Sequence, residues 1–198
     1  MLRRYGQGEA SLAELVMDDA FRRLAVYECG VPSHFKPYLS DLQDYVESTF
    51  WPDVEPGEMR NGVRCEDLMR LTFPVESFDL VITSDVFEHV RRPYVGFAEV
   101  WRVLRPGGAH VFSIPVVFPM RPQTVARVDV SGPEDVHLLE PRFHSGKHLV
   151  YNDFGADLMD RLDVLGFETD VLRFEAPDTE AARLLTFCSV KRAAPGLA

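Results

Sequence analysis

The stretch Val63–Pro115, VRCEDLMRLTFPVESFDLVITSDVFEHVRRPYVGFAEVWRVLRPGGAHVFSIP, decides the fold of this chain. Its apolar runs and turn residues predict, in order, a strand, an acidic turn, a strand, an acidic turn, a helix, a glycine turn and a strand. Such alternation is typical of βαβ units, in which the strands are parallel. Turns that follow parallel strands lie along one edge of the sheet, where open α/β sheets bind ligands. The sequence therefore predicts an acidic binding edge.

The segments on both sides of this stretch extend the α/β pattern. Ser11 and Glu14 have the spacing of a capping box, which predicts that an amphipathic helix begins there. The predicted elements are, in chain order, a helix over 11–23, a strand over 24–29, a helix over 33–42, a strand over 44–49, an exposed connection over 51–62, strands over 63–67 and 78–84, a helix over 94–104, a strand over 109–115, a helix over 153–165 and an antiparallel pair over 167–175 and 184–192. This order predicts a single α/β domain over 1–198, with a mostly parallel sheet, a C-terminal antiparallel hairpin and helices on both faces.

Residues 116–150 form the longest stretch without clear periodicity. They hold four prolines together with His137, His144 and His148. An irregular segment of this length in a small domain is usually a lid or a binding segment. We therefore expect it to fold over a substrate pocket and to bring His144 close to His89.

Composition limits the classes of partner. The 21 basic and 31 acidic side chains give a net charge of −10, which disfavours a nucleic-acid partner. Apolar runs do not approach the roughly 18 residues that a membrane span needs. The three cysteines are widely spaced and lack a CxxC pair, so a cytoplasmic location is expected.

Acidic side chains stand at the end of each predicted parallel strand in the first half of the chain: Glu28, Glu47, Glu66, Asp67 and Asp85. Carboxylates in these positions can accept hydrogen bonds from ribose hydroxyls, an adenine amino group or an ammonium group. The alternative is that each one simply solvates its turn. Their occurrence in successive turns favours a ligand-binding role.

Four motifs occur together between Glu66 and Gly108: EDLMRLTF at 66–73, FPVESFDLVI at 73–82, DVFEHV at 85–90 and WRVLRPGG at 101–108. They resemble the second half of the cofactor-binding core of class I S-adenosylmethionine-dependent methyltransferases, of the type 11-like kind. The resemblance is close over residues 24–115 and loose elsewhere. It implies a Rossmann-like fold, S-adenosylmethionine as cofactor, and methyl transfer to an oxygen or nitrogen atom of a small molecule.

The resemblance also implies roles for residues at the strand ends. Glu47 stands where the family holds the cofactor ribose, and Asp67 stands where the family contacts adenine, with Leu68 as an apolar neighbour. The cofactor-binding residues that it predicts are Glu28, Gly30, Glu47, Asp67, Leu68, Ser84 and Asp85.

The first turn departs from the family pattern. Where the family has E-x-G-x-G-x-G, this chain has Glu28-Cys29-Gly30-Val31-Pro32-Ser33-His34, so Pro32 and His34 replace two glycines. Glycine allows the backbone to approach the ligand there, and proline removes an amide donor. Two alternatives stay open: the cofactor sits slightly higher, held by Glu28, Glu47 and Asp67, or it binds weakly or not at all.

The run Asp85–His89 supports three interpretations. Glu88 and His89 can cap and orient the start of the following helix. His89 can be a general base, since the pKa of histidine lies near neutrality. Finally, Asp85, Glu88 and His89 share one face of a helix at i, i+3 and i+4, so they can bind a divalent ion, with His144 as a further ligand. That spacing is similar to the metal-binding D/E-x-x-E-H of ubiquinone-pathway and small-RNA 2′-O-methyltransferases.

The leading functional hypothesis is methyl transfer, with catalysis by in-line positioning of donor and acceptor and with His89 or His144 assisting deprotonation. Two hypotheses of other classes stay open: a non-catalytic binding or scaffolding protein, and an enzyme of different chemistry that reuses the pocket. The altered turn at Val31–His34 discriminates among them. We expect a small-molecule substrate and neither a nucleic-acid nor a membrane partner, and homodimer formation is left open.

Overall fold

A mixed sheet organises the residues that the structure describes, which in this computed structural model are 11–30, 33, 35–116, 119–144, 147–172 and 184–193. Within them, eight strands form the sheet: β1 Ala25–Cys29, β2 Asp44–Thr49, β3 Met59–Arg60, β4 Val63–Cys65, β5 Phe78–Ser84, β6 Leu104–Pro115, β13 Phe167–Leu172 and β14 Leu184–Lys191. Their order across the sheet is β13-β14-β6-β5-β1-β2-β4-β3. The helices are α1 Leu12–Leu15, α2 Asp19–Arg22, α3 Lys36–Leu39, α4 Pro93–Val103 and α5 Asp157–Val164, with a 3₁₀ helix at Phe87–His89.

The centre of the sheet is parallel and its C-terminal side is antiparallel. Strand β1 pairs in parallel with β2 and β5, and β5 pairs in parallel with β6. Strand β14 then pairs antiparallel with both β6 and β13. This arrangement confirms the predicted α/β sheet with a C-terminal antiparallel hairpin. Residues 173–175 of the predicted pair lie outside the described residues.

Both faces of the sheet are buried, because alternate residues of its strands enter two separate cores. In β1, Tyr27 belongs to the core that contains Phe97 of α4 and Leu158 of α5. Its neighbour Val26 belongs to the core that contains Phe21 of α2. Side chains of a strand point to opposite faces in turn, so a strand covered on both faces is apolar throughout. Helices therefore pack on both faces, as predicted.

Two local expectations were wrong: one predicted helix is broken in the middle, and one predicted connection contains a strand. The helix predicted over 11–23 is two short helices, because Asp18 is extended and its carboxylate accepts from the amides of Ala20 and Phe21, which starts α2 anew. The connection predicted over 51–62 contains β3, which pairs antiparallel with β4. Asn61 and Gly62 both have positive φ there, as in a two-residue hairpin turn.

The other predicted boundaries moved by a few residues. The helix predicted over 33–42 is the short α3, the helix predicted over 94–104 is α4, the helix predicted over 153–165 begins at Asp157, and the strand predicted over 109–115 begins at Leu104. The early start of β6 comes with a register shift against β5, between the pairs Phe78↔Leu104 and Leu80↔Ala109.

Most of the described residues of the irregular segment 116–150 lie in turns and two-residue ladders. The strands are β7 Val125–Ala126, β8 Val128–Asp129, β9 Val136–His137, β10 Phe143–His144, β11 His148–Leu149 and β12 Asn152–Asp153. They pair antiparallel as β7 with β12, β8 with β9, and β10 with β11. Each ladder is too short to be stable without packing against the main domain.

Gly108 lies where two backbones come too close for a side chain. A Cβ atom at this position would lie 2.9 Å from the carbonyl oxygen of Arg105 and 3.0 Å from that of Asp79. We expect Gly108→Ala to lower the free energy of unfolding by about 1–3 kcal/mol, the usual cost of forcing an extra methyl group into a packed site. Urea denaturation checks this. Gly132→Ala is the control, since the nearest atom to its Cβ would be 3.8 Å away. Equal stability of the two variants would contradict the expectation.

Candidate active site

The carboxylate of Glu28 is held at the end of β1. The side chain of Glu28 is buried and accepts hydrogen bonds from the hydroxyls of Ser33 at 2.5 Å and Tyr45 at 2.6 Å. Burial raises the pKa of this carboxyl, while both hydroxyl contacts act in the opposite direction. A carboxylate has about four lone-pair positions, so it retains acceptor capacity beyond these two contacts.

At Gly30, in the first turn, the backbone lies close to the side chain of Val86, as expected for a glycine of this turn. Its φ is +124°, and a Cβ atom here would lie 3.2 Å from Cγ2 of Val86. Glycine is needed because other residues rarely adopt this conformation. Of the predicted departure from the family pattern, Val31, Pro32 and His34 lie outside the described residues.

Glu47 and Asp67 both lie at the ends of their strands with carboxylates already engaged. Lys36 Nζ lies 2.5 Å from Glu47 Oε2, and the side chain of Glu47 is 8% exposed. Asp67 Oδ1 accepts from the amide of Met69 at 2.8 Å, which shapes the turn that follows β4. Leu68, the predicted apolar neighbour, is buried in the adjacent core.

Glu66, one of the strand-end acids, has a structural role. Its fully buried carboxylate accepts from Arg64 Nε at 2.6 Å, from the Thr72 hydroxyl at 2.5 Å and from the Thr72 amide at 2.9 Å. Three charge-assisted contacts leave little capacity for a ligand, and they fix the loop after β4 to the sheet.

Ser84 and Asp85 end β5 in an uncommon conformation. Asp85 has φ +50°, in the left-handed region that disfavours most side chains. Its amide donates to the carbonyl of Ser113, and its Oδ1 accepts from the Ser113 hydroxyl at 3.2 Å. Ser84 Oγ lies 3.0 Å from Ser113 Oγ. Strained residues of this kind concentrate at functional sites.

Glu88, His89 and His144 come together in a group that we call the Glu–His cluster. Nδ1 of His144 lies 3.2 Å from Oε1 of Glu88, and Nε2 of His89 lies 3.6 Å from the same oxygen. The two imidazole rings are perpendicular, with centroids 4.9 Å apart. The expectation that His144 approaches His89 is therefore met.

The group differs from the one that helical spacing predicted. The residues after β5 form a 3₁₀ helix over Phe87–His89 that does not include Asp85, and the Asp85 carboxylate turns to Ser113. The capping interpretation of Glu88 and His89 is also wrong. Helix α4 begins at Pro93, its N-cap is Arg92, and it has no side-chain cap.

Backbone and side-chain contacts join Asp135 and Tyr151 to the 3₁₀ helix and to Arg91, which follows it. The amide of Tyr151 donates to the carbonyl of Glu88 at 2.7 Å. Arg91 Nε donates to Asp135 at 2.6 Å, and the Tyr151 hydroxyl donates to the other oxygen of Asp135 at 2.8 Å. These contacts hold the downstream segment beside the cluster, so that His144 lies next to His89 although more than fifty positions separate them in the sequence.

Burial dominates the electrostatics of the cluster. It raises the pKa of Glu88 to about 8, with the nearby charge of Asp85 acting in the same direction. Burial also lowers the pKa of His89 and of His144. The structure therefore favours neutral imidazoles, which have lone pairs available for a proton or a ligand.

A cavity of about 190 Å³ opens beside the cluster. Glu88 and His144 form part of its wall, and Pro115 at the end of β6 forms another part together with Val116. The remaining lining residues come from the downstream segment and include Arg121, Arg142, Asn152, Asp153 and Phe154. Sequence reasoning had not singled out Arg121, Arg142 or Asp153. No local motif marks them, because only tertiary pairing of the short ladders brings them to the cavity.

Among the residues that the structure describes, we found no helix with both the length and the apolar character that crossing a membrane requires.

Comparisons with known proteins agree with this geometry. The sequence model of one protein family, described as "Methyltransferase domain", matches residues 40–112. A protein of Mycobacterium avium (strain 104) named "Uncharacterized methyltransferase" is 48% identical over 124 residues, which cover 57% of this chain and 44% of that protein. The chain thus spans less than half the length of this curated relative. Both matches are to methyltransferases, in agreement with the resemblance that the motifs indicated.

Two solved structures have the same fold. An S-adenosylmethionine-dependent methyltransferase from Mesorhizobium loti is 20% identical, with a TM-score of 0.58, and the match covers 84% of this chain and 90% of that one. A 1,6-didemethyltoxoflavin-N1-methyltransferase from Burkholderia thailandensis, solved with 1,6-didemethyltoxoflavin and S-adenosylhomocysteine, is 16% identical, with a TM-score of 0.56 and coverage of 92% and 77%. These likenesses confirm the predicted Rossmann-like fold.

Proposed function

We propose that this chain is a class I S-adenosylmethionine-dependent methyltransferase and that it transfers a methyl group from S-adenosylmethionine to an oxygen or nitrogen atom of a small molecule. The observation that carries the proposal is the position of the cavity. Pro115 at the end of β6 and Glu88 in the 3₁₀ helix after β5 line it, and the parallel neighbours β1 and β2 carry Glu28 and Glu47 toward their own carboxyl ends. A donor on those strands and an acceptor in the cavity would therefore meet at one edge of the sheet.

The donor would bind along the ends of four strands. Glu47 would accept from the ribose hydroxyls and Asp67 from the adenine amino group, while Leu68 would pack against the adenine ring. Glu28, Gly30, Ser84 and Asp85 would surround the methionine portion. Carboxylates are suited to the donors of both ribose and the α-ammonium group.

The acceptor would occupy the cavity, with its reacting atom turned to the Glu–His cluster. A neutral oxygen or nitrogen nucleophile loses a proton when it is methylated, so a group at the acceptor must assist that loss. His89 and His144 are the catalytic residues that we propose for this task. The remainder of the rate enhancement would come from holding donor and acceptor in line.

The charges on the cavity wall favour an acceptor with an acidic group. Arg142 is paired with Asp153 at 2.9 Å, whereas Arg121 makes no ion pair with any residue in the described ranges. A guanidinium that faces a cavity without an internal partner is suited to a carboxylate or a phosphate. The segment 116–150, which supplies both arginines and His144, would then act as the substrate lid.

The donor site is tested by calorimetric titration of S-adenosylmethionine or S-adenosylhomocysteine. We expect Glu47→Ala to weaken binding by about 1.5–3 kcal/mol, the usual loss for a hydrogen bond to a charged partner. Lys36→Ala is the matched control, because it removes the ion pair with Glu47 but keeps the carboxylate. We expect its affinity to be equal to that of the parent protein or higher.

Either of two results would overturn this expectation. An equal loss in Glu47→Ala and Lys36→Ala would show that the ion pair, and not a ribose contact, supports the site. A parent protein that takes up neither ligand at millimolar concentration would favour the non-catalytic hypothesis.

A further inference from the structure

The Glu–His cluster contains a buried carboxylate that lacks a hydrogen-bonding partner. The side chain of Glu88 is 2% exposed, and neither of its oxygens accepts a hydrogen bond from any part of the chain that the structure describes. His144 Nδ1 is within reach of Oε1 at 3.2 Å, but at an angle that does not make a hydrogen bond. Buried polar groups are nearly always satisfied, so an exception needs a specific cause.

The donor atoms of the cluster converge as the ligands of one ion do. The carboxylate oxygen and the two ring nitrogens all lie within 4.8 Å of one another. Zinc–nitrogen and zinc–oxygen bonds are about 2.0–2.2 Å long, which puts neighbouring ligand atoms about 3.0–3.5 Å apart. The measured separations of 3.2 and 3.6 Å from Glu88 Oε1 are already close to that range.

The orientation of His89 is set by the backbone. Its Nδ1 lies 2.8 Å from the carbonyl oxygen of Leu149. Because a carbonyl only accepts, Nδ1 carries the proton and Nε2 presents its lone pair toward Glu88. Histidines that bind metals in proteins characteristically donate their second ring nitrogen to a carbonyl or a carboxylate in this way.

We infer that Glu88, His89 and His144 bind a divalent transition-metal ion at the wall of the cavity. Two imidazole nitrogens and one carboxylate oxygen suit Zn²⁺ and its first-row neighbours better than Mg²⁺ or Ca²⁺, which prefer ligands that are all oxygen. The positive charge of the ion would balance the negative charge of the buried Glu88 carboxylate. Three protein ligands would leave at least one coordination position open toward the cavity, as in catalytic zinc sites.

The site itself is independent of methyl transfer, but its role rests on the proposed function. An imidazole that binds an ion with its lone pair cannot take a proton with the same lone pair. His89 and His144 would therefore act as ligands, and the ion would lower the pKa of an acceptor hydroxyl that binds at its open position. The ion would also fix the position of the acceptor atom before the methyl group arrives.

Direct binding of the metal tests the inference without an acceptor. Chelator-treated protein is titrated with Zn²⁺ alone in a calorimeter, and with Co²⁺ alone while its visible absorption is followed. We expect one ion per chain. His144→Ala should weaken binding by about tenfold or more, since even the loss of a residue that only orients a ligand weakens metal sites 10- to 100-fold.

His148→Ala is the matched control. The ring of His148 lies near the cluster, 5.6 Å from that of His89, but His148 is exposed and stands outside the ligand group. Its affinity for the ion should stay close to that of the parent protein. A parent protein that binds neither ion, or equal weakening in His144→Ala and His148→Ala, would overturn the inference.

Titration of S-adenosylmethionine into metal-free protein separates this inference from the proposed function. Binding of the cofactor without binding of a metal would leave the methyltransferase proposal intact and return His89 and His144 to the role of free bases. Binding of the metal without binding of the cofactor would support the ion site and count against methyl transfer.

Discussion

We expect alanine at His144 or at His89 to lower the rate of the proposed methyl transfer by about 10²–10⁴, the range that positioned proton-transfer groups contribute. The reason is geometric: both rings contact the same carboxylate oxygen, and His144 faces the cavity where an acceptor would bind. The affinity for S-adenosylmethionine should change little, because neither ring belongs to the strand ends that would hold the donor. The measurement is release of S-adenosylhomocysteine in the presence of an acceptor that the parent protein methylates.

The exposed His137 supplies a control for this experiment. His137→Ala removes an imidazole from the same downstream segment, and His137 is not among the residues that line the cavity. We expect its rate to match that of the parent protein. Full activity in His89→Ala and His144→Ala would remove the cluster from the mechanism and leave it a structural contact.

We expect acidification from about pH 7.5 to about pH 5 to lower the free energy of unfolding by about 2 kcal/mol through the titration of one residue, His110. The ring of His110 is fully buried against Phe87, Phe97 and Phe112, and its Nε2 pairs with the Thr83 hydroxyl at 3.0 Å. Burial alone lowers its pKa from 6.5 to about 3. As the pH falls below 6.5, the His110 imidazole becomes protonated in the unfolded chain but stays neutral in the folded chain. The stability that is present above that pH is therefore progressively lost.

Urea denaturation of the parent protein and of His110→Phe at several pH values measures this contribution. The variant itself can be more or less stable, since a phenyl ring changes the packing. The informative quantity is the difference in pH dependence, from which other titrating groups cancel. If both proteins lose the same stability between pH 7.5 and pH 5, His110 is not the cause.

Topological rules account for what the sequence could predict about this site. The alternation of strand and helix over Val63–Pro115 fixes parallel strands, and parallel strands bring their carboxyl ends to one edge. The same logic predicted that the segment after β6 returns to that edge, with His144 near His89. The capping box at Ser11 and the family motifs were equally local signals, and the structure contains the elements that they predict.

What the sequence could not predict depends on distant partners. Glu66 and Asp67 are adjacent in the sequence but have different roles. The Glu66 carboxylate accepts hydrogen bonds from Arg64 and Thr72, whereas the Asp67 carboxylate accepts one from a backbone amide in the next turn. Helical spacing placed Asp85 beside Glu88, but its hydrogen bonds to Ser113 hold it in another conformation. The break at Asp18 had a local signal that the helical periodicity of the flanking residues outweighed. The two-residue strand β3 lies inside a stretch whose turn residues predicted only a connection.

The contacts that join Asp135 and Tyr151 to Arg91 and the 3₁₀ helix have a consequence for how this protein can diversify. The proposed donor residues occur in the sequence between Glu28 and Asp85, whereas the residues that line the cavity, apart from Glu88, occur between Pro115 and Phe154. The two regions meet through a small number of anchors, such as Arg91 with Asp135 and Glu88 with Tyr151. A chimaera that keeps these anchors and exchanges the residues between them should change the acceptor while the use of the methyl donor is inherited unaltered. Under the proposed function, the choice of acceptor and the use of the methyl donor would thus be set by separate parts of the chain.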